Sequence, residues 1–474
     1  MKNLKTLFVI LTTIVVSSCS KDNPTPDAPP AANVLTVTTA TATGLTSAKV
    51  TLGGEVTKDG GKPVTERGIC IGDAINPVIT NTNNLTEIIG SGLGVFTKDF
   101  SIEPNTPANA TIHYRAYAKN ADGTVYGEDK TFVTLAPTAC PVINVNPNNV
   151  DITISTPTTW TAGNVYLVSK EVRVTSTLTI QPGTVIKLNG GNFEINGSGK
   201  VIANGTATNR IVFTSFADDS VCGDSNGDGS TTSPQKGDWL NINLNGGTNH
   251  IFNYCDFLYA GANDAGYNVI ISVTNSGNQF TFDHCVFAHC KNAASSSSQG
   301  ASAITGGGVI NDSSVSVFTN NAIYDCDKPM YISDGYTVNT NNIFHNPNNP
   351  AEKNKRNGIF MSGGGFSLET VTWGIKEVPY VLEVYAQYSS PKTVNIPANV
   401  VVKFPGSSFG IGYNVNTLNL NPSAILTSYK DDASGGDTNG DGNASSPANG
   451  DWLGLYSYAA VAYINNANIR YAAN

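Results

Sequence analysis

The chain has 474 residues, more than one ordinary compact domain holds, so two or three units or one long repetitive unit are expected. Only 13% of residues are charged and the formal net charge is −9 with six arginines, so the clustered Lys and Arg that a nucleic acid or an acidic lipid surface requires are missing. Glycine, asparagine, serine and threonine abound and no long amphipathic helical pattern occurs, which excludes a helical bundle and favours many short strands joined by polar turns.

MKNLKTLFVILTTIVVSSCSKDN opens the chain. Lys2 and Lys5 form a basic region, and Leu7 to Val16 an apolar run too short to span a bilayer. Val16-Ser17-Ser18-Cys19 then resembles the lipobox of bacterial lipoprotein signals. The resemblance implies a signal peptide over 1–18 and acyl chains on Cys19, each buried CH₂ contributing about 0.8 kcal/mol to membrane anchoring. An ordinary secretory peptide with a chance cysteine is the alternative. Ser20-Lys21-Asp22-Asn23 is similar to the signal that sends some lipoproteins to the outer face of the outer membrane. Residues 19–33, rich in Pro, Ala and Asp, read as a flexible tether.

Over 34–135, segments such as SAKVTLGGEVT, PVTERGICIG, TIHYRAYAKN and TVYGEDKTFVT place apolar residues at every second position, with DGG and NADG as turns. About seven short strands predict a sandwich. The wording TSAKVTLGGEVTKDGGKPVTERGICIG and IHYRAYAKNADGTVYGEDKTFVT resembles the fibronectin type III-like modules of bacterial surface lipoproteins, which implies a spacer. Cys70 falls in an alternating strand and is expected in its core. Residues 136–150, with prolines and asparagine clusters, read as a linker.

From 151 to 474 brief apolar runs alternate with Gly, Asn and Asp turns. FNYCDF (252–257), FDHCVF (282–287), FTNNAI (318–323), VNTNNI (338–343) and INNANI (464–469) share apolar first and sixth positions. Their fourth position is small or an amide: Cys255, Cys285, Asn321, Asn341 and Ala467. Irregular intervals suit stacked coils, because insertions escape into loops while strands keep pairing. Positions one and six of a straight strand face opposite ways, so a tight corner inside each hexamer is required. This register, with QPGTVIKLN and GSGKVIANGTATNRIVFTS, resembles the right-handed parallel β-helix of pectin-lyase-like proteins. The expected fold class is therefore all-β, a fibronectin III-like sandwich followed by a right-handed parallel β-helix solenoid.

With Cys19 set aside seven cysteines remain, so at least one is a free thiol or pairs between chains. Stacking of coils places Cys255 on Cys285 and Cys290 on Cys326; reduced buried thiols are expected, with disulfides the alternative. Zinc held by His284, Cys285, His289 and Cys290 is disfavoured, because alternation sends adjacent residues to opposite faces.

DSNGDGSTTSPQKGDW (224–239) returns as DTNGDGNASSPANGDW (437–452), 213 residues later, with ten of sixteen positions identical. The duplication extends to FTSFADDSVCG against LTSYKDDASGG and, more loosely, to IQPGTVIKLNGGNFEI against IPANVVVKFPGSSFGI. Asp224, Asn226 and Asp228, and Asp437, Asn439 and Asp441, have the D-x-N-x-D-G spacing of a calcium loop, in which alternate oxygens curl toward one hard cation. The usual twelfth-position glutamate is replaced by Gln235 and Ala448. Asp238 and Asp451, or Asp219 and Asp432 upstream, are available to close the shell. The expected cofactor is structural Ca²⁺, and the competing reading is that Asp-Gly and Asn-Gly are turn formers.

Two functions stay open. The β-helix resemblance brings polysaccharide lyases and glycoside hydrolases with it, but Arg173, Arg210, Arg356 and Arg470 form no recognisable constellation with acids, and Asp283, His284, Asp325 and Asp327 are the nearest approach to an acid–histidine set. The preferred reading is a non-catalytic surface module for a polysaccharide or a surface protein. Tyr380, Tyr385, Tyr388, Tyr413, Tyr456, Tyr458 and Tyr463 serve packing before sugar stacking. The last coil requires a cover over its open edge.

Overall fold

The computed structural model describes residues 34–47, 49–102, 106, 109–135, 140–229, 231–262, 269–273, 279–291, 302–306, 316–363 and 369–473. Among them every regular element is a strand. The chain divides into one unit ending at Ser101 and resuming over Thr111–Val133, and a second of Ile102–Ala110 with Thr134–Asn474.

Alternation in the first unit folds into two antiparallel sheets. Lys49–Asp59 pairs with Leu35–Thr39 and Gly94–Ser101, while Glu66–Gly72 pairs with Leu85–Gly90 and Thr111–Asn120. Gly123–Tyr126 and Lys130–Val133 add to Thr111–Asn120. Val50, Leu52, Ile69, Cys70, Tyr114 and Tyr117 are buried, the expected fate of Cys70. A Cβ on Gly54 would lie 2.5 Å from Ala116 Cβ, so only glycine permits this approach.

The second unit is a parallel β-helix. An eleven-stranded sheet runs from Ile152–Ile154 to Ile425–Ser428, beside a six-stranded sheet from Thr158–Trp160 to Val317–Thr319 and a seven-stranded sheet from Val142–Asn144 to Ala322–Tyr324. Later coils add a three-stranded sheet ending at Leu418–Leu420 and a four-stranded sheet ending at Ala462–Tyr463. Within the coils strands pair in parallel with their counterparts one coil on, as Phe252 with Phe282 and Phe282 with Phe318, while His345–Asn346 with Asn349–Lys353 and Ala462–Tyr463 with Gly454–Ser457 pair antiparallel. Rings therefore stack along one interior: Phe252 on Phe282 at 4.8 Å, Phe257 on Phe287 at 5.1 Å. Fully burying such a side chain contributes about 1.5–3 kcal/mol. The expected corner is the third residue in three of the five hexamers: Tyr254, His284 and Asn320 take φ of 49°, 55° and 53°.

The structure corrects four expectations. Residues 136–150 are not all linker, since Val142–Asn144 already pairs with Val165–Val168. In VNTNNI the register slips by one. Ile343 bridges Ala322, Asn342 replaces Asn341 as the inward amide by donating to Phe318 O, and Phe344 fills the core. Ala467 is exposed, because the last strand turns back antiparallel on Gly454–Ser457. Cys290 and Cys326 form a disulfide with Cα atoms 4.5 Å apart, and Cys140 bonds Cys222. Cys255 and Cys285 do remain free and buried, each thiol turned to a carbonyl of the preceding coil, Ala203 O at 3.5 Å and Phe252 O at 3.2 Å.

The duplicated segments do not occupy the same faces. VIKL (Val185–Leu188) lies in the seven-stranded sheet and VVKF (Val401–Phe404) in the eleven-stranded one, so the two acidic loops leave from different faces.

Candidate functional site

Each acidic loop is held against the outside of its sheet by the same bonds. Thr214 donates to Asp218 at 2.5 Å and Ser215 to Asp238 at 2.5 Å; Thr427 and Ser428 do the same to Asp431 and Asp451, both at 2.7 Å. The tryptophan indoles donate to carbonyls on the next turn, Trp239 to Leu258 and Trp452 to Arg470, both at 2.7 Å. Ile186, Leu188, Val402 and Phe404 point into the core, so Lys187 and Lys403 point out, yet both are fully buried by the loops. Lys187 Nζ donates to Gly223 O at 2.8 Å and Lys403 Nζ to Gly436 O at 2.6 Å. Burial lowers both lysines, Lys403 to about 8, against the pull of nearby aspartates. A lysine at the same place in two otherwise apolar strands was the available signal for this pair.

The loops gather two acid triads. One carboxylate oxygen from each of Asp219, Asp224 and Asp228 lies within 4.8 Å of the others, and Asp432, Asp437 and Asp441 repeat the set. Asp224 accepts from Gly227 N at 2.6 Å and Gly229 N at 2.9 Å, as Asp437 does from Gly440 N and Gly442 N. Asn226 and Asn439 accept from the amides of Asp228 and Asp441, both at 3.1 Å, and donate to their carboxylates. A carboxylate offers about four lone-pair sites; Asp228 and Asp441 also accept from Thr231 and Thr232 and from Ala444 and Ser445, so a cation there displaces one of those bonds. Oδ1 of Asp432 is buried without a hydrogen-bond partner, and its pKa is raised by burial and then by the neighbouring Asp437 charge. The distal Asp238 and Asp451 lie outside the triads and are bonded to Ser215 and Ser428; the third member of each triad is the upstream Asp219 or Asp432. The loops differ at their entrance: Cys222 is disulfide-bonded, whereas its counterpart Gly435 has no room for a Cβ, which would sit 2.4 Å from Pro379 Cγ.

The residues nearest to an acid–histidine set are dispersed. Asp283 lies 2.9 Å from His284 Nδ1 and accepts from Asn320. Asp325 pairs instead with His289 at 2.7 Å and Lys236 at 2.6 Å. Asp327 is buried in an ion pair with Arg356. Arg210 pairs with Asp256 and Arg173 with Glu171, so these arginines do have acidic partners. The four residues considered for zinc split as alternation requires: His284 and His289 stack outside on Tyr254 and Tyr259, and Cys285 and Cys290 turn inward. Tyr380 and Tyr388 are core residues, whereas Tyr456 packs edge-on against Tyr458 and Tyr463.

Two further features were not legible. Lys328 Nζ lies 4.2 Å over the Phe360 ring and 4.0 Å from Glu383, whose Oε2 is buried without a partner. Burial lowers Lys328 to about 8 and raises Glu383. A shallow, open depression of about 500 Å³ lies over Asn395–Pro397 and Leu418–Pro422, where Asn419 donates to Asn395 at 2.7 Å. Cys19 lies outside the described residues.

No protein-family model matches the chain, and no curated protein matches it. Among solved structures, the family 28 exopolygalacturonase of Yersinia enterocolitica is similar at 12% identity, over 84% of this chain and 88% of that one, with a TM-score of 0.23. That likeness is too slight to bear on activity, and the parallel β-helix stands on strand pairing.

Proposed function

We propose that the chain is an exported, lipid-anchored protein of the bacterial cell surface, in which a fibronectin III-like spacer carries a calcium-clamped β-helix that binds a linear glycan or another surface component without turnover. The depression beside Asn395 and Asn419 carries this reading. Asparagine amides, Pro397, Pro422 and leucines line it, with no titratable group. Acid–base catalysis needs an ionisable side chain within reach of the substrate, and such a lining offers only hydrogen bonds and apolar contact. The asparagine ladder follows the stacking direction, at a spacing of about 4.8 Å per coil, which suits a polymer laid across successive coils.

The second reading, a polysaccharide lyase or glycoside hydrolase, is favoured by one observation: Lys328 and Glu383 form a neighbouring base and acid with pKa values moved toward neutrality. Lys328 is wholly buried, so this reading needs the cluster to open. A panel of neutral and acidic polysaccharides separates the two. Retention on an immobilised glycan, lost in Asn395→Ala with Asn419→Ala and accompanied by no new reducing ends, is expected. Release of reducing or unsaturated ends that stops in Glu383→Gln would reverse the assignment. For the clamps, calorimetry after chelation is expected to show calcium uptake that falls by one site in Asp224→Asn and by one in Asp437→Asn; silence at millimolar calcium removes the clamps from the proposal.

A further inference from the structure

His289, Asp325 and Glu352 meet at a corner of the coils, apart from both acid triads. We propose that they form a binding site for a divalent transition-metal ion of the zinc type. One ring nitrogen and one oxygen from each acid lie within 4.8 Å of one another. A tetrahedral ion with bonds of about 2.1 Å spaces its ligand atoms by about 3.4 Å, so small side-chain rotations close the set. An imidazole with two carboxylates suits such an ion, whereas calcium takes oxygens.

Separately pinned pieces of backbone deliver the three ligands. Leu258, Ala288 and Tyr324 pair in register, so Tyr259, His289 and Asp325 follow each other in one column on successive coils. All three hold a left-handed φ, 66°, 57° and 50°. That conformation is costly for a non-glycine residue and persists where the surroundings enforce it. The Cys290–Cys326 disulfide, immediately after His289 and Asp325, joins the two coils. Glu352 comes from the hairpin of His345–Asn346 and Asn349–Lys353. Asn354 fixes that hairpin, donating to Ile323 O at 2.9 Å and accepting from Cys326 N at 3.2 Å. Tyr259 stacks on the His289 ring at 4.9 Å and 16°, which sets the imidazole plane.

His289 Nδ1 and Asp325 Oδ2 share a 2.7 Å hydrogen bond, and Glu352 accepts from Asn346 at 2.7 Å. An ion entering between His289 and Asp325 takes the place of the hydrogen on Nδ1, and the neutral ring carries its single N–H on Nε2 instead. Lys236, 2.6 Å from Asp325 Oδ1, is the competing cation. It belongs to the first acidic loop, where the second copy has Asn449.

Titration calorimetry of the full chain with Zn²⁺, in excess calcium so that oxygen-only sites are filled, tests the site. One Zn²⁺ per chain is expected, at least tenfold weaker in His289→Ala and in Glu352→Gln and several-fold tighter in Lys236→Gln. Co²⁺ as an optical probe should give a visible absorption band that His289→Ala abolishes. Thermal unfolding of each variant identifies loss of fold, and Glu352→Gln, on a hairpin outside the core, keeps the test valid if His289→Ala is unstable. Zn²⁺ binding that keeps full affinity in a folded Glu352→Gln variant, or that is absent from the unaltered chain, overturns the proposal.

Discussion

His250 shows how a single buried ring couples this fold to pH. Its Nε2 donates to Gly246 O at 2.9 Å while Nδ1 accepts from Val201 N at 3.4 Å, a pairing that requires the neutral ring. Protonation would set two N–H groups against each other inside a fully buried pocket. Burial, and then the Lys200 charge, accordingly hold the His250 pKa below its ordinary value of 6.5, against the pull of Gly246 O. In the unfolded chain the ring binds its proton at the ordinary value, so the unfolded state takes up more protons just below it. The stabilisation is complete above about pH 6.5 and drains away as pH falls further. Thermal midpoints measured from about pH 7 to about pH 5 should therefore fall more steeply for the unaltered chain than for His250→Gln. Parallel curves would show that the ring contributes nothing to acid sensitivity. The hexamer register required a corner but not its position, and the αL residues that make it, Tyr254, His284 and Asn320, carry no glycine to mark it. Composition announces a turn only where the residue is permissive, and here the coil's neighbours impose the conformation.

At the scale of an element, each acidic loop and the lysine beneath it behave as one device. Lys403 Nζ supports Gly436 O and partly offsets Asp431, Asp432 and Asp437, so the loop carries its own cation. A bound calcium ion meets that charge as a repulsion. Lys403→Met should tighten calcium binding at the second loop by about tenfold near neutral pH, equivalent to about 1.4 kcal/mol, while loosening the loop without calcium. Calorimetry with the first loop disabled by Asp224→Asn isolates the effect, and weaker binding would show that the lysine acts as a tether alone. Duplication made the loops legible, because Asp, Asn, Asp, Gly and Trp return at one interval. Which acid joins Asp224 and Asp228 was not legible, because sequence offers both Asp238 and Asp219; in the fold Asp238 accepts from Ser215 and Gln235 N, and Asp219 lies beside the other two.

Across the whole molecule, the solenoid has one continuous interior, and its parallel strand ladders join each coil to the next. The alternation and the hexamer register revealed this, because Phe252, Phe282 and Phe318 differ by irregular intervals yet keep one pattern. The one-residue slip at Ile343 escaped detection because Ile343 and Phe344 are both apolar, and the choice between them rests on Asn342 reaching Phe318 O. Phe282 is fully buried, stacked on Phe252 and edge-on to Phe257 and Phe287. Truncation to alanine removes those contacts and leaves a cavity that neighbouring strands, fixed by their own ladders, cannot close. The cost should be about 3–5 kcal/mol. In a compact domain such a loss is shared by every element, whereas in stacked coils it falls first on the adjoining turns. Hydrogen exchange of Phe282→Ala should show protection lost in His250–Asn253 and Val317–Thr319, with Thr393–Ile396 and the antiparallel strands near their original rates. Equal loss throughout would mean that the coils unfold as a single cooperative body. Local loss would mean that the depression beside Asn395 keeps its shape while coils a hundred residues earlier open, which is the property a long binding face requires.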